Sequence, residues 1–454
     1  MNNTSGHQVG RWFSVKLANI YLASFVLFFV IYSCMSIAFD KLSSPLLILY
    51  AINVCLFAIG CMHFKALKKT LFSNVISIYF IIYTIWYILS LIYNNNEVYV
   101  FKDSVGFLFY FIYPSLNYVL INYANETFYN KLILFIGILV SVIHLFVYLL
   151  FFMVVGGVRL TSDNLDMFNL MLSAQGFTAD LNASGGMLRI DLGLGQLLII
   201  PFAMLIRNVY CVKRLLSSIA QFSLALLLIS GAVLDGHRSL LITMGLTVLF
   251  VTLFTCKYGK VSIRVIGKIL FVMIFMTFTF LAMLSVFGLF DVFHYIDRLA
   301  SLLSSNLATE SEDLRLAQIP ALLEKISERP FFGNGFGSYA SILRSEERPF
   351  MYEVDYLAVI MKLGIIGTVL YLGSYITVLL KGVKAFGSNF YSAVPYVAAG
   401  ISYLFYMGTN GGFAMSLFST FFHLMVMLGI VNAKYCRNAP VGSSNLIVNS
   451  EQLT

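Results

Sequence analysis

The chain has 454 residues, 59 % of them hydrophobic and only 11 % charged. Soluble domains carry roughly 25 % charged residues, so an ordinary water-facing surface is excluded and lipid must solvate most of this chain. The formal charge of +8 falls in small groups between apolar runs, which is the pattern of membrane topology and not of a nucleic-acid-binding tract.

Taken in chain order, apolar runs predict about twelve transmembrane helices, near 15–38, 44–62, 74–93, 105–123, 132–155, 191–206, 215–234, 239–255, 269–290, 355–380, 391–409 and 414–433. Each suits a hydrocarbon core of ~30 Å, allowing for tilt. The first run follows Arg11 and Lys16 and is too long for a signal-peptide core, so it reads as a retained span. The expected fold class is therefore all-α and polytopic. Spans one to nine occupy 1–290, with a medium loop at about 156–190. A long, partly helical loop covers 291–354, the last three spans cover 355–437, and a polar tail covers 438–454.

Orientation follows from Lys and Arg. With the N-terminus in the cytoplasm, 17 of the 29 positive residues fall on that side, 11 on the other, and Lys362 inside a span. Both termini are then cytoplasmic and both longer loops face outward. The six cysteines show no CxxC spacing, and none lies in the long loop, which argues against a disulfide framework or a cysteine-bound zinc.

Within the long loop, Leu316, Ile319, Leu323 and Ile326 share one helical face among charged neighbours, as in a helix lying in the headgroup plane. Pro320 should kink or restart that helix. Gly333-Asn334-Gly335-Phe336-Gly337 reads as a flexible turn. Asp163 and Asp166 have loose acidic spacing and read as solvated loop. No P-loop, Rossmann fingerprint or HExxH helix occurs, so neither a cofactor nor a metal is expected.

The informative charges are arginines near the outward face. Arg238 follows Gly236-His237 at a span start, Arg189 precedes a span, and Arg315 lies on the amphipathic segment. A guanidinium is permanently charged and grips phosphate oxygens through paired hydrogen bonds, which suits a lipid-linked pyrophosphate. The competing reading is that each arginine snorkels to lipid phosphates or pairs with a nearby acid. Lys362, two turns inside a span, needs a structural partner. His144 and His423, in apolar runs, read as packing histidines.

Three stretches resemble the O-antigen polymerase and ligase superfamily. Ser230-Gly231 through Gly236-His237-Arg238-Ser239-Leu240-Leu241 is similar to its "SGSRxxLL" helix start. Arg315 followed by Pro330-Phe331-Phe332-Gly333-Asn334-Gly335-Phe336-Gly337 is similar to "R…W…PLFGxGxG". Glu353-Val354-Asp355-Tyr356-Leu357 followed by Leu363-Gly364-Ile365-Ile366-Gly367 is similar to "HNxYLxxxxxxGxxG". The Trp after the arginine is missing, and Glu353-Val354 stands where ligases carry His-Asn. These departures point toward a Wzy-type polymerase.

The resemblance implies a metal-independent glycosyltransferase of the GT-C type in a bacterial inner membrane. Its substrates would be undecaprenyl-pyrophosphate-linked repeat units, with a chain-length-determining copolymerase as a possible partner and no nucleic acid. Arg238 and Arg315 would stabilise the leaving pyrophosphate, and Glu353 would act as general base, its flanking Phe350, Met351 and Tyr352 partly desolvating it. Arg189, Arg344, His237 and Asp355 are further candidates for phosphate or sugar contacts. An O-antigen ligase, or a flippase for lipid-linked oligosaccharides, remains an alternative.

Overall fold

The computed structural model describes residues 19–24, 72–122, 126–155, 165–170, 180–184, 187–191, 194–211, 215–259, 267, 310–344, 346, 348–409 and 416–435. The expected spans at 44–62 and 269–290, most of the one at 15–38, and the C-terminal tail lie outside these residues.

The described chain is helical apart from one short hairpin. Helices α1 (Ser73–Ile92), α2 (Glu97–Leu108), α3 (Tyr113–Asn122) and α4 (Glu126–Val155) come first. A hairpin of β1 (Asp180–Ser184) and β2 (Met187–Asp191) follows, then a 3-10 turn (Gly195–Leu198), α5 (Ile199–Cys211), α6 (Leu215–Asp235) and α7 (Arg238–Gly259). After these come α8 (Glu310–Glu328), α9 (Asp355–Lys384), α10 (Phe386–Thr409) and α11 (Leu417–Tyr435). Four of these helices, α1, α4, α7 and α9, are long and apolar enough to cross a membrane over 73–92, 127–151, 239–259 and 355–384, and three shorter apolar helices accompany them. Exposed Phe80, Ile88, Phe146, Leu253 and Val369 cover their outsides, as expected where acyl chains replace water.

Two segments depart from simple spans. The run expected at 105–123 is broken: α2 starts earlier, at Glu97, because Asn96 caps it by accepting hydrogen bonds from the Val98 and Tyr99 amides (3.0 and 3.3 Å). A 3-10 turn at Phe109–Ile112 then links α2 to α3. The run expected at 191–206 is not one helix either. The hairpin and the 3-10 turn take its first turns, and α-helix begins only at Ile199.

The bundle has a shared polarity. Tyr258 of α7 and Phe386 of α10 meet with ring centroids 5.3 Å apart, at the end of α7 and the start of α10. These helices are antiparallel, so the start of α7 and the end of α10 lie together at the opposite end. The start of α9 joins them there, since the Tyr356 hydroxyl donates to the Leu404 carbonyl. The α6–α7 turn, the end of α10 and the start of α9 thus share one end of the bundle.

Helix α9 is interrupted at Gly364 (φ 64, ψ −176), a backbone state open to glycine. The interruption frees carbonyl and amide groups of the helix, and the segment 330–337 takes them up. Asn334 and Gly335 donate to the Met361 and Lys362 carbonyls (2.8 and 2.9 Å), while Ile365 and Ile366 donate to those of Pro330 and Phe331 (2.9 and 3.1 Å). From α1, Trp86 Nε1 donates to the Phe332 carbonyl at 2.7 Å and Ser90 Oγ accepts from the Phe336 amide at 2.7 Å. Asn95 Nδ2 donates to the carbonyls of Asn334 and Phe336 (2.8 and 3.0 Å). The glycine segment is therefore a bonded clamp and not the flexible turn expected. Its glycines serve close approach: a Cβ at Gly333 would run into the backbone of Lys362 and Gly364, and one at Gly337 would sit 2.6 Å from the Val100 nitrogen.

Candidate active site at the α8–α9 junction

Helix α8 stands on the start of α9 through Ala321 and Leu322, which pack against Ala340, Tyr352, Ala358 and Met361. The helix runs unbroken through Pro320, so the expected restart there does not occur. The apolar face read from the sequence is not the face that packs on α9. Leu316 and Leu323 are exposed, whereas Gln318, Ala321 and Leu322 are buried. The inward face carries Arg315 and Gln318 three residues apart, which puts both side chains on one side of a helical turn.

Those two residues meet Glu353. Arg315 Nε donates to Glu353 Oε2, and Arg344 Nε lies 3.3 Å from Glu353 Oε1. The Glu353 amide donates to Gln318 Oε1 at 3.3 Å. The Glu353 side chain is nearly buried, at 9 % exposure, while the side chains of Arg315 and Arg344 keep 39 % and 38 %. Two cations and one anion therefore meet with a net positive charge at an open edge. Such a group can take up an anion with a smaller desolvation penalty than a buried pair, because both arginine side chains are partly open to solvent.

Of the residues flanking Glu353, Phe350 is 5 % exposed and Tyr352 is fully enclosed, while Met351 is half-buried. The Tyr352 hydroxyl accepts from the Ala340 amide at 2.6 Å, and burial pushes its pKa up to about 12. Tyr352 is thus a neutral structural post under Glu353. Asp355, the first residue of α9, is 2 % exposed.

The other expected site residues sit around the α6–α7 turn at the same end. Gly236 (φ 74) ends α6, His237 is half-buried, and Arg238 opens α7. Arg189 lies on β2, paired through its backbone with Asn182. The side chains of Arg189 and Arg238 lie outside the described residues. The structure therefore unites Arg315, Arg344 and Glu353, and leaves His237 and Arg238 on the α6–α7 turn and Arg189 on β2.

Three partners were hidden in the sequence. Asp103 holds Lys362 at 2.7 Å, both nearly buried, and its second oxygen accepts from the Gly337 amide at 2.8 Å. The structural partner expected for Lys362 is thus an acid from α2, which in sequence reads as an ordinary loop acid. Gln318 has no charge to draw notice. His144 is not simply a packing histidine: its Nε2 lies 3.4 Å from Asp235 Oδ1, with both side chains buried. His423 does sit in packing, ringed by Tyr371, Tyr375 and Tyr403, with Nδ1 bonded to the Tyr110 hydroxyl at 2.7 Å. Among the described residues no three His, Cys, Asp or Glu side chains converge as a metal site would require.

Fold and charge placement together define a helical membrane protein with an arginine–carboxylate cluster at one end of its bundle. Residues 223–372 match the family model described as O-antigen ligase, which is consistent with the O-antigen polymerase/ligase superfamily of glycan-transferring membrane enzymes. The match spans α7, α8, the clamp and the cluster. No curated protein matches the chain.

Proposed function

We propose that the protein is a Wzy-type polymerase that joins undecaprenyl-pyrophosphate-linked repeat units at the outward face of a bacterial inner membrane. The observation that carries this reading is the meeting of Arg315, Arg344 and Glu353 within the matched stretch. The growing glycan on its lipid pyrophosphate is the donor, and a hydroxyl of a fresh repeat unit is the acceptor. The acceptor oxygen attacks the anomeric carbon, and the bond from that carbon to the pyrophosphate oxygen breaks. The electron pair leaves with the lipid pyrophosphate, and the hydroxyl proton passes to Glu353.

The geometry supports a division of labour. In the absence of substrate both Glu353 oxygens are engaged by guanidiniums. An arriving pyrophosphate carries more negative charge than one carboxylate and competes for them. Turning Arg315 and Arg344 toward the phosphates frees Glu353 beside the acceptor, so one exchange prepares both the leaving group and the base. Arg238 and His237 on the α6–α7 turn, with Arg189 on the adjoining strand, would extend the positive field toward the second lipid-linked substrate. A copolymerase that sets chain length would act on the assembled enzyme from outside this site.

The ligase reading has the description of the matching family behind it. Against it stands Glu353-Val354 in the place of His-Asn. Deleting the gene separates the two. Lipid A core capped with a single repeat unit is the expected product of polymerase loss. Free lipid-linked polymer with uncapped core would show the ligase instead.

A further inference from the structure

Besides the Lys362–Asp103 pair, a second buried contact between titratable side chains joins α4 to α6. His144 Nδ1 bonds the Val140 carbonyl at 2.8 Å, so this nitrogen carries its proton and Nε2 faces Asp235. The two side chains are 0 % and 1 % exposed. No aligned hydrogen bond reaches either Asp235 oxygen among the described residues. Asp235 is also the last residue of α6, where the negative end of the helix dipole disfavours an acid. An acid placed there, within the apolar bundle, is electrostatically expensive unless it does something that packing alone would not need.

The surroundings say what that is. The 3-10 turn presses on the carboxylate: a Cβ at Gly195 would lie 2.5 Å from Asp235 Oδ2 and 2.8 Å from Leu240. One turn earlier, a Cβ at Gly231 would lie 2.7 Å from the Ser141 hydroxyl, so α4 and α6 touch closely here. Directly after Asp235 the chain reverses at Gly236, and Leu240 donates to the His237 carbonyl at 3.0 Å to start α7. From the 3-10 turn, Gln196 accepts from the Tyr403 hydroxyl at 3.4 Å, and the next residue, Leu404, takes the Tyr356 hydroxyl beside Asp355 on its carbonyl. The pair is thus the fixed point from which the chain leads to His237 and Arg238 on one side and toward Asp355 on the other.

We propose that His144 and Asp235 are a positioning pair: they pin the end of α6 to α4 and so set where the His237–Arg238 turn meets the lipid-linked substrate. The pair touches no substrate itself. This inference rests on the reading of that turn as part of a glycan-transferring site.

The test uses the full-length chain purified in lipid, with a lipid-linked repeat unit as substrate, and compares kcat and KM with the amount of folded protein. His144→Leu alone leaves a buried carboxylate without its partner and is expected to lower the yield of folded protein. The double variant His144→Leu, Asp235→Asn removes both ionisable groups while keeping the shape that Gly195 requires. It is expected to recover folded yield and melting temperature, yet to keep a KM raised about tenfold or more, as displaced binding groups do. A double variant that matches the parent in both kcat and KM would overturn the proposal, since the pair would then serve stability alone. Arg238→Ala separates this failure from that of the underlying reading. Full activity in Arg238→Ala overturns the role of the turn and the pair together. Loss in Arg238→Ala beside a fully active double variant overturns the pair only.

Discussion

Two ion-pair systems lie within a short stretch of the same structure, and they are built oppositely. Lys362 and Asp103 are 6 % and 7 % exposed, and both Asp103 oxygens are used, one by Lys362 and one by the Gly337 amide. Arg315 and Arg344 grip Glu353 but keep more than a third of their side chains open. Burial decides what each can do. A pair with every bond satisfied inside the protein cannot trade partners without a large desolvation cost, so it holds the fold. A pair with wet cations can exchange one anion for another, so it can bind. Lys362 also ties the systems together, because it projects from the interrupted turn of α9 that holds the glycine clamp, and α9 begins two residues after Glu353.

The sharpest way to break this contrast is to remove one member of each system. Lys362→Met leaves Asp103 buried without its cation and is expected to cost about 3–5 kcal/mol of stability. The measurement is folded yield and thermal unfolding in detergent, and most of the protein should fail to accumulate. Normal yield would show that the pair is dispensable and the contrast wrong. Arg315→Ala should do the reverse. Folded yield stays near that of the parent, while transfer falls about a hundredfold, equivalent to roughly 3 kcal/mol in the transition state. Product analysis should show single repeat units in place of long chains. Glu353→Gln should give the same product pattern, because the amide keeps the shape but accepts no proton. Long polymer from both variants would remove the cluster from the mechanism.

How much of this was legible in the sequence depends on the range of the cause. Helices α1, α4, α6, α7, α9, α10 and α11 follow apolar runs of the right length, a signal contained within each segment. The break in α9 was not legible. Gly364 looks like any helical glycine until the segment 330–337 arrives to use the freed backbone groups. Arg315 and Glu353 could be named from motif resemblance, but their contact spans 38 positions and depends on α8 folding back over α9. Asp103 and Asp235 were passed over for a related reason. Each lies near the end of an apolar run, where an acid reads as solvated, and only tertiary contact shows that a cation or histidine covers it. The face of α8 that packs on α9 is not legible either, because large apolar side chains dominate a periodicity reading. In a protein bathed in lipid, such residues can face outward, and the small Ala321 lies against α9 instead.

The smallest test probes the clamp that joins the two systems. Trp86 lies in α1, and its indole N–H donates to the Phe332 carbonyl at 2.7 Å. Trp86→Phe keeps most of the ring and loses that donor, so the carbonyl is left without this bond in an apolar setting. The expected loss is about 1 kcal/mol or slightly more, visible as a lower melting temperature. Transfer activity per folded molecule should change less than twofold, on the order of a few tenths of a kcal/mol. That combination follows if the clamp only supports the junction. A large loss of activity at unchanged stability would mean that the glycine segment takes part in substrate contact, and the division between a holding pair and a working pair would then have to be redrawn around the clamp itself.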